Sequence, residues 1–259
     1  MNTHIRFLSV ALLVLLGAGY ILATSASDKI KTCIDFSRTR LCGNRSVEDV
    51  LAVYGPRVSS RLKQNNFIAQ NGFPTEILIF ANKADKVLRI YGRTGKTQKF
   101  SHIKDYPFTA FSGKLGPKLR EGDRQIPEGI YEVEYLNPNS SYHLSLKVSY
   151  PNEFDRSKAA IDGRRPEELG GDIMIHGRSS TIGCIPIGDE AIEEVFVMVA
   201  KAGRKNAKII ISPGALDPRG SLMHPRLDNP PWYGELIKKI EQQMLKYKDA
   251  GIDFELSTI

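Results

Sequence analysis

Apolar residues are spread unevenly along this chain, and the places where their period changes mark its elements. Residues 7–23 form an uncharged apolar run, preceded by His4 and Arg6 and followed by Thr24, Ser25 and Ala26. A basic start, an apolar stretch and small residues at its end predict an export signal over residues 1–26. The run is near the shortest that spans a bilayer, so it predicts either a cleaved signal or an N-terminal membrane anchor. No second run of that length follows, and the rest of the chain is expected on one side of the membrane.

After this run the spacing becomes helical. Ser46, with Glu48 and Asp49 just behind it, reads as a helix start. Val50, Leu51, Val53, Val58, Leu62 and Phe67 continue the spacing, which Gly55-Pro56 is expected to interrupt. This helical arm, residues 27–74, ends near Asn71-Gly72-Phe73-Pro74. The period then shortens. Residues 76–80 and 87–91 are β-rich runs whose linker, 82–86, predicts a hairpin. Further strands are predicted at 107–112, 129–136, 142–150, 173–176 and 208–212, with a Gly- and charge-rich loop over 113–129. One helix breaks the β pattern, with Asp189 as its expected cap, 191–202 as its body and Gly203 as its stop. A last helix is predicted from Asn229-Pro230-Pro231 through Trp232, Leu236, Ile237, Ile240, Met244 and Leu245. Strands in the middle with helices on the flanks predict an α+β, mainly β fold, a β-sandwich-like core with helical additions. The core domain is expected over 75–213 and a helical extension over 214–259.

Composition narrows the class. With 259 residues, 41% of them hydrophobic and 25% charged, the chain suits one sizeable core with appendages and excludes collagen, coiled coil and disorder. A net charge of +7 points to a polyanionic neighbourhood or to no more than a soluble basic surface. No RNP, zinc-finger or P-loop signature accompanies it, so nucleic acid is not expected as a partner. Export changes the reading of the three cysteines, Cys33, Cys42 and Cys184. An oxidising compartment favours a Cys33–Cys42 disulfide, the alternative being two reduced thiols. Cys184 is then the odd thiol.

Candidate chemistry gathers around it. Residues 173–176 read as a buried strand ending in His176, followed by the polar loop Arg178-Ser179-Ser180-Thr181 and the apolar return of Ile182-Gly183-Cys184-Ile185-Pro186-Ile187. A short loop between two strands brings their ends together, so His176 can take the Cys184 proton and leave a thiolate to attack a carbonyl. Gly183 carries no side chain and admits a substrate close to the sulfur. Backbone N–H groups around Gly183 and Cys184 can serve as an oxyanion hole, worth roughly 3 kcal/mol for one good donor. The plainer alternative is an inert buried cysteine. A metal site lacks further ligands at regular spacing, and no cofactor is implied.

The stretch His176-Gly177 through Thr181-Ile182-Gly183-Cys184 resembles the HG…(S/T)xGC signature of the YkuD-type L,D-transpeptidase catalytic domain. The similarity extends through Ser112-Gly113-Lys114-Leu115-Gly116-Pro117-Lys118, Glu121-Gly122-Asp123-Arg124-Gln125-Ile126-Pro127-Glu128-Gly129, Tyr150-Pro151-Asn152 and Gly171-Asp172, and it fits the YafK-like branch of the family. The resemblance implies a YkuD-like core acting on peptidoglycan in the periplasm or cell envelope. In such an enzyme a stem tetrapeptide acylates the cysteine, D-alanine leaves, and the acyl group passes to an amine or to water. Cys184 would be the nucleophile and His176 the general base, oriented by the Gly177 carbonyl. Gly183 and Thr181 would shape the oxyanion pocket and nucleophile loop. Many members have Ile-Arg after the cysteine, whereas this chain has Ile185-Pro186. Arg178 either replaces that lost cation at the substrate or is a solvated loop charge. The loop from Lys114 to Glu128, with Lys118, Glu121, Asp123 and Arg124, either faces the stem peptide or is a plain connection. The branch includes hydrolases that release wall-linked lipoprotein, so transfer and hydrolysis both stay open. A wall-binding module with an inert site is the third reading.

Overall fold

The computed structural model describes residues 43–65, 67, 72–222 and 229–254. The expected export segment and the Cys33–Cys42 pairing lie outside the described residues. Among these residues no helix is long and apolar enough to cross a membrane.

A single run of apolar residues positions the rest. In β1 (Glu76–Asn82) every residue after Glu76 is buried. Ile77, Ile79 and Ala81 face one hydrophobic cluster and Leu78 and Phe80 a second, so the strand is covered on both faces. That is why its sequence is continuously apolar and not alternating. Together with β2 (Val87–Arg93), β3 (Ser101–Pro107), β4 (Gly129–Asn137), β5 (Ser145–Val148), β6 (Met174–His176), β7 (Ile185–Pro186) and β8 (Ala207–Ser212) it forms one curled sheet. The order is β3-β2-β1-β8-β4-β5-β6-β7. β1 pairs parallel with β8 and β6 parallel with β7, while the remaining pairs are antiparallel. The fold is α+β and mainly β.

Helix α1 (Val47–Gln64) and helix α3 (Asp189–Ala202) share the first cluster, with Val50, Val58 and Leu62 set against Ile192, Val195, Phe196 and Val199. Arg57 pairs with Glu193 and Arg61 with Glu194 across them. The Gly55-Pro56 interruption does not occur: α1 runs through Pro56. A mid-helix proline costs about 3 kcal/mol, and the buried face and ion pairs offset it. Helix α4 (Tyr233–Asp249) covers the other face, placing Leu236, Ile237, Ile240 and Met244 against Leu78, Phe80 and Ile210.

Other boundaries also differ from expectation. The strand predicted at 107–112 lies instead at Ser101–Pro107, an edge strand in which only Ile103 and Tyr106 are buried. Phe108 and Phe111 are apolar because they pack on the core from a loop. The strand predicted at 142–150 shortens to Ser145–Val148. Helix α2 (Glu153–Ile161) was not expected, although Asn152 and Asp155 form a capping box at its start. Asp189 is the first residue of α3 and Gly188, with φ +85°, its cap, because the Asp189 carboxylate is engaged elsewhere.

Candidate active site

The candidate residues collect at the edge of the sheet where β6 meets β7. The pairing sets Ile175 beside Ile185 and His176 beside Pro186, and continuing that register sets Cys184 level with Met174. The Met174 N–H accordingly donates to Cys184 Sγ at 3.4 Å. In parallel pairing, residues two apart share a face, so His176 lies one step further along the face that carries the sulfur. The thiol donates to the Asp172 carbonyl at 3.3 Å, so at rest its hydrogen bonds are to backbone.

His176 is buried, and its Nδ1 stands 2.5 Å from the Gly177 carbonyl oxygen. A carbonyl only accepts, so Nδ1 carries the proton and the lone pair is on Nε2. The chain can turn back this sharply because residue 177 is glycine: a Cβ there would stand 2.6 Å from Asp189 Oδ1 and 2.7 Å from the Tyr142 carbonyl. Across the imidazole lies the Tyr142 ring, 4.5 Å between centroids and tilted by 39°. Its loop is held by Arg45, which donates to the carbonyls of Pro138 at 2.6 Å and His143 at 2.9 Å.

The nucleophile loop is fastened by one hydroxyl. Thr181 Oγ1 accepts from the Gly183 N–H at 3.1 Å and donates to the Cys184 carbonyl at 2.7 Å. The Gly183 N–H is thus occupied, whereas among the described residues no acceptor takes the Cys184 N–H. Gly183 has φ +135°, a conformation suited to glycine, and a Cβ there would meet the Gln125 carbonyl at 3.2 Å. Ile182 at the loop tip is 76% exposed, and Cys184, two residues on, is half-buried.

Burial dominates the electrostatics of both reactive groups. It pushes the Cys184 thiol up, against the pull of the Met174 N–H and the Lys147 charge. It pushes His176 down, against its bond to Gly177 and the charge of Asp189. Both effects favour a resting pair of neutral thiol and neutral imidazole, in which Nε2 is free to take a proton.

Arg178 lies among these residues, but not as a solvated charge. It is buried, with φ +62°, and its N–H and Nη1 bond Asp189 Oδ1 and Oδ2 at 2.9 and 3.0 Å. Its carbonyl accepts from Thr109 Oγ1 at 2.6 Å. The residue therefore braces the turn after His176. In the 113–128 loop, Asp123 accepts from Lys118 Nζ at 2.6 Å and from the N–H groups of Leu119, Arg120 and Gln125, so Lys118 and Asp123 are internal supports. The sequence reading did not single out Lys147 or Tyr142 as site residues, nor the carboxylate role of Asp189. Lys147 reaches the site from β5, Tyr142 from the loop before it and Asp189 from the start of α3, and spacing along the chain carries no sign of that.

Residues 76–211 match the YkuD family, the L,D-transpeptidase catalytic domain. YafK of Escherichia coli (strain K12), whose name gives L,D-transpeptidase as a provisional assignment, is 33% identical over 147 residues, 55% of this chain and 55% of that protein. The chain thus matches about half the length of this relative. Among solved structures, the helical cell shape determining protein Pgp2 of Campylobacter jejuni is 27% identical over 53% of this chain and 47% of that one, with a TM-score of 0.42. Bdellovibrio bacteriovorus Bd1075 is 19% identical over 70% of this chain and 58% of that one, with a TM-score of 0.38.

Proposed function

Because the chain belongs to the YkuD family of L,D-transpeptidase catalytic domains, we propose that it is an exported cysteine acyltransferase acting on peptidoglycan stem peptides in the cell envelope. The observation that carries this reading is the Nδ1 bond to the Gly177 carbonyl, which leaves Nε2 as a base on the face that holds the Cys184 sulfur. The thiol gives its proton to Nε2, and the sulfur attacks the carbonyl carbon of the scissile amide. The Cys184 N–H faces the developing oxyanion. As the tetrahedral centre collapses, the C–N bond breaks and the Nε2 proton goes to the leaving amine. A thioester remains on Cys184. An acceptor amine, or water, then gives a proton back to Nε2 and attacks the thioester. That step forms the new amide or acid and restores the thiol. The basic surface suits an anionic wall polymer.

A second reading ends the same acyl-enzyme with water, which would shorten stems or free wall-linked lipoprotein. It is favoured by Pro186, which stands where many relatives have arginine, and by Arg178 being committed to Asp189. Incubation with wall fragments and mass spectrometry of the muropeptides tests both readings. Cross-linked dimers are expected from transfer and shortened stems or freed lipoprotein from hydrolysis, and Cys184→Ala is expected to abolish either. A carbapenem-type β-lactam should add covalently to wild type and not to that variant. Wall binding indifferent to Cys184→Ala, with no adduct and no altered muropeptide, would leave only a non-catalytic binding module.

A further inference from the structure

Beside the sulfur is a buried cation that the acyl-transfer scheme does not use. Lys147 lies on β5 directly opposite Met174, the residue whose N–H bonds Cys184. It is only 6% exposed. Among the described residues its ammonium makes no hydrogen bond, and the one carboxylate within ion-pair distance is Asp172, at 3.7 Å on a side chain 98% exposed. The bare Cα of Gly171 leaves space next to it, since a Cβ there would be 3.9 Å from Nζ. A buried ammonium has three donors to satisfy and pays heavily for lost hydration. Nothing in the fold repays that here, but a ligand carboxylate would.

We propose that Lys147 binds the free C-terminal carboxylate of the donor peptide, one residue beyond the amide that Cys184 attacks. This inference rests on the acyl-transfer reading above. One residue of extended chain spans about 3.5 Å, and neighbouring strands are about 4.8 Å apart. Lys147 stands on β5, two strands or about 9.6 Å from the row of Cys184. Its long side chain closes that gap: Nζ is 3.7 Å from Asp172 Oδ1, and the Asp172 carbonyl takes the thiol's hydrogen bond. A terminal carboxylate one residue beyond the sulfur therefore comes within reach of the ammonium. Asp172, at 3.7 Å on a side chain 98% exposed, is a weak partner that a substrate carboxylate can displace. Lys118 also acts on the sulfur, but its ammonium is committed to Asp123 and to the Arg120 carbonyl. Among the described residues that act on the sulfur, Lys147 is thus the cation available to a ligand.

The test compares a stem tetrapeptide ending in D-alanine with the same peptide bearing a C-terminal carboxamide. The readout is acylation of Cys184 in the full chain, followed by mass spectrometry. Wild type is expected to favour the acid about tenfold or more in kcat/KM, the size of one charge-assisted hydrogen bond. Lys147→Met should bring the acid-to-amide ratio near one, and Lys147→Arg should restore part of the preference. Wild type acylated equally by acid and amide would overturn the assignment of Lys147 while leaving Cys184 as nucleophile. So would a Lys147→Met protein that keeps the full acid preference. Wild type acylated by neither peptide and unreactive to a β-lactam would overturn the acyl-transfer reading, and this inference with it.

Discussion

Lys83 and Lys147 are both buried ammonium groups, and their surroundings differ in kind. Lys83 Nζ donates to the Gly116 carbonyl at 2.8 Å, the Ile126 carbonyl at 2.9 Å and Glu128 Oε1 at 2.8 Å. Glu128 in turn accepts from the Gly116 N–H and from the Tyr233 hydroxyl, both at 2.7 Å. Three donors meet three acceptors, and the carboxylate is filled from both sides. This cluster ties the 113–128 loop to the end of β1 and to α4, and the same loop sets the Gln125 carbonyl against Gly183. Lys147, by contrast, has one distant, solvent-facing partner among the described residues. A satisfied buried charge holds a fold in place, while an unsatisfied one marks where a ligand belongs.

The largest expected effect separates the two lysines by stability. Lys83→Met strands the Glu128 carboxylate in a site that excludes water, and losing one partner of a buried pair costs about 3–5 kcal/mol. Lys147→Met removes a charge that gains little from its surroundings and fills the same volume, so the change should stay within about 1 kcal/mol or be stabilising. Urea unfolding of the two variants checks this. Equal losses would mean that Lys147 is structural after all.

The contrast also shows what sequence could reveal. Cys184, His176, Gly177, Thr181 and Gly183 were legible because one short loop between two strands contains them all, so chain proximity is spatial proximity. β1 and β8 were legible because their buried runs are largely apolar, β2 because apolar residues flank Arg89, and β4 because buried Tyr131 and Val133 alternate with exposed Glu132 and Glu134. β3 was misplaced because an edge strand buries only Ile103 and Tyr106, which leaves its sequence polar. Pro56 read as a break because propensity is local, while the packing of α1 on α3 that overrides it is not. Lys147 read as one more polar residue in a strand, since what singles it out is the row of β6 beside it. Helix α2 is the one miss with a readable signal, the Asn152–Asp155 box.

A smaller effect sharpens the same contrast at the sulfur. Burial pushes the thiol above its ordinary value of 9.0, and the Lys147 charge pulls the other way. Alkylation of Cys184 by iodoacetamide should therefore rise with pH through an inflection above 9.0. A positive charge favours the thiolate, so Lys147→Met should move the inflection higher, and Asp172→Asn should move it lower. An inflection unmoved in Lys147→Met would place the ammonium too far from the sulfur to serve a ligand bound there.

The smallest effect concerns the other half of the pair. Tyr142, 41% exposed, shields one face of the His176 ring, whose pKa is lowered first by burial and raised by Gly177 and Asp189. Tyr142→Ala would readmit water to the imidazolium and so raise that pKa. It would also remove a ring–cation attraction of about 0.5–1 kcal/mol, which acts in the opposite direction. Burial is the largest cause, so desolvation wins and the net change is upward. Acylation needs neutral Nε2, so activity is lost as pH falls through this pKa. In Tyr142→Ala the acid limb of kcat/KM should therefore move to higher pH, toward the ordinary imidazole value of 6.5. Tyr142→Phe keeps the ring and should keep the limb in place. A limb that shifts in Tyr142→Phe as far as in Tyr142→Ala would assign the effect to the hydroxyl and not to the covering ring.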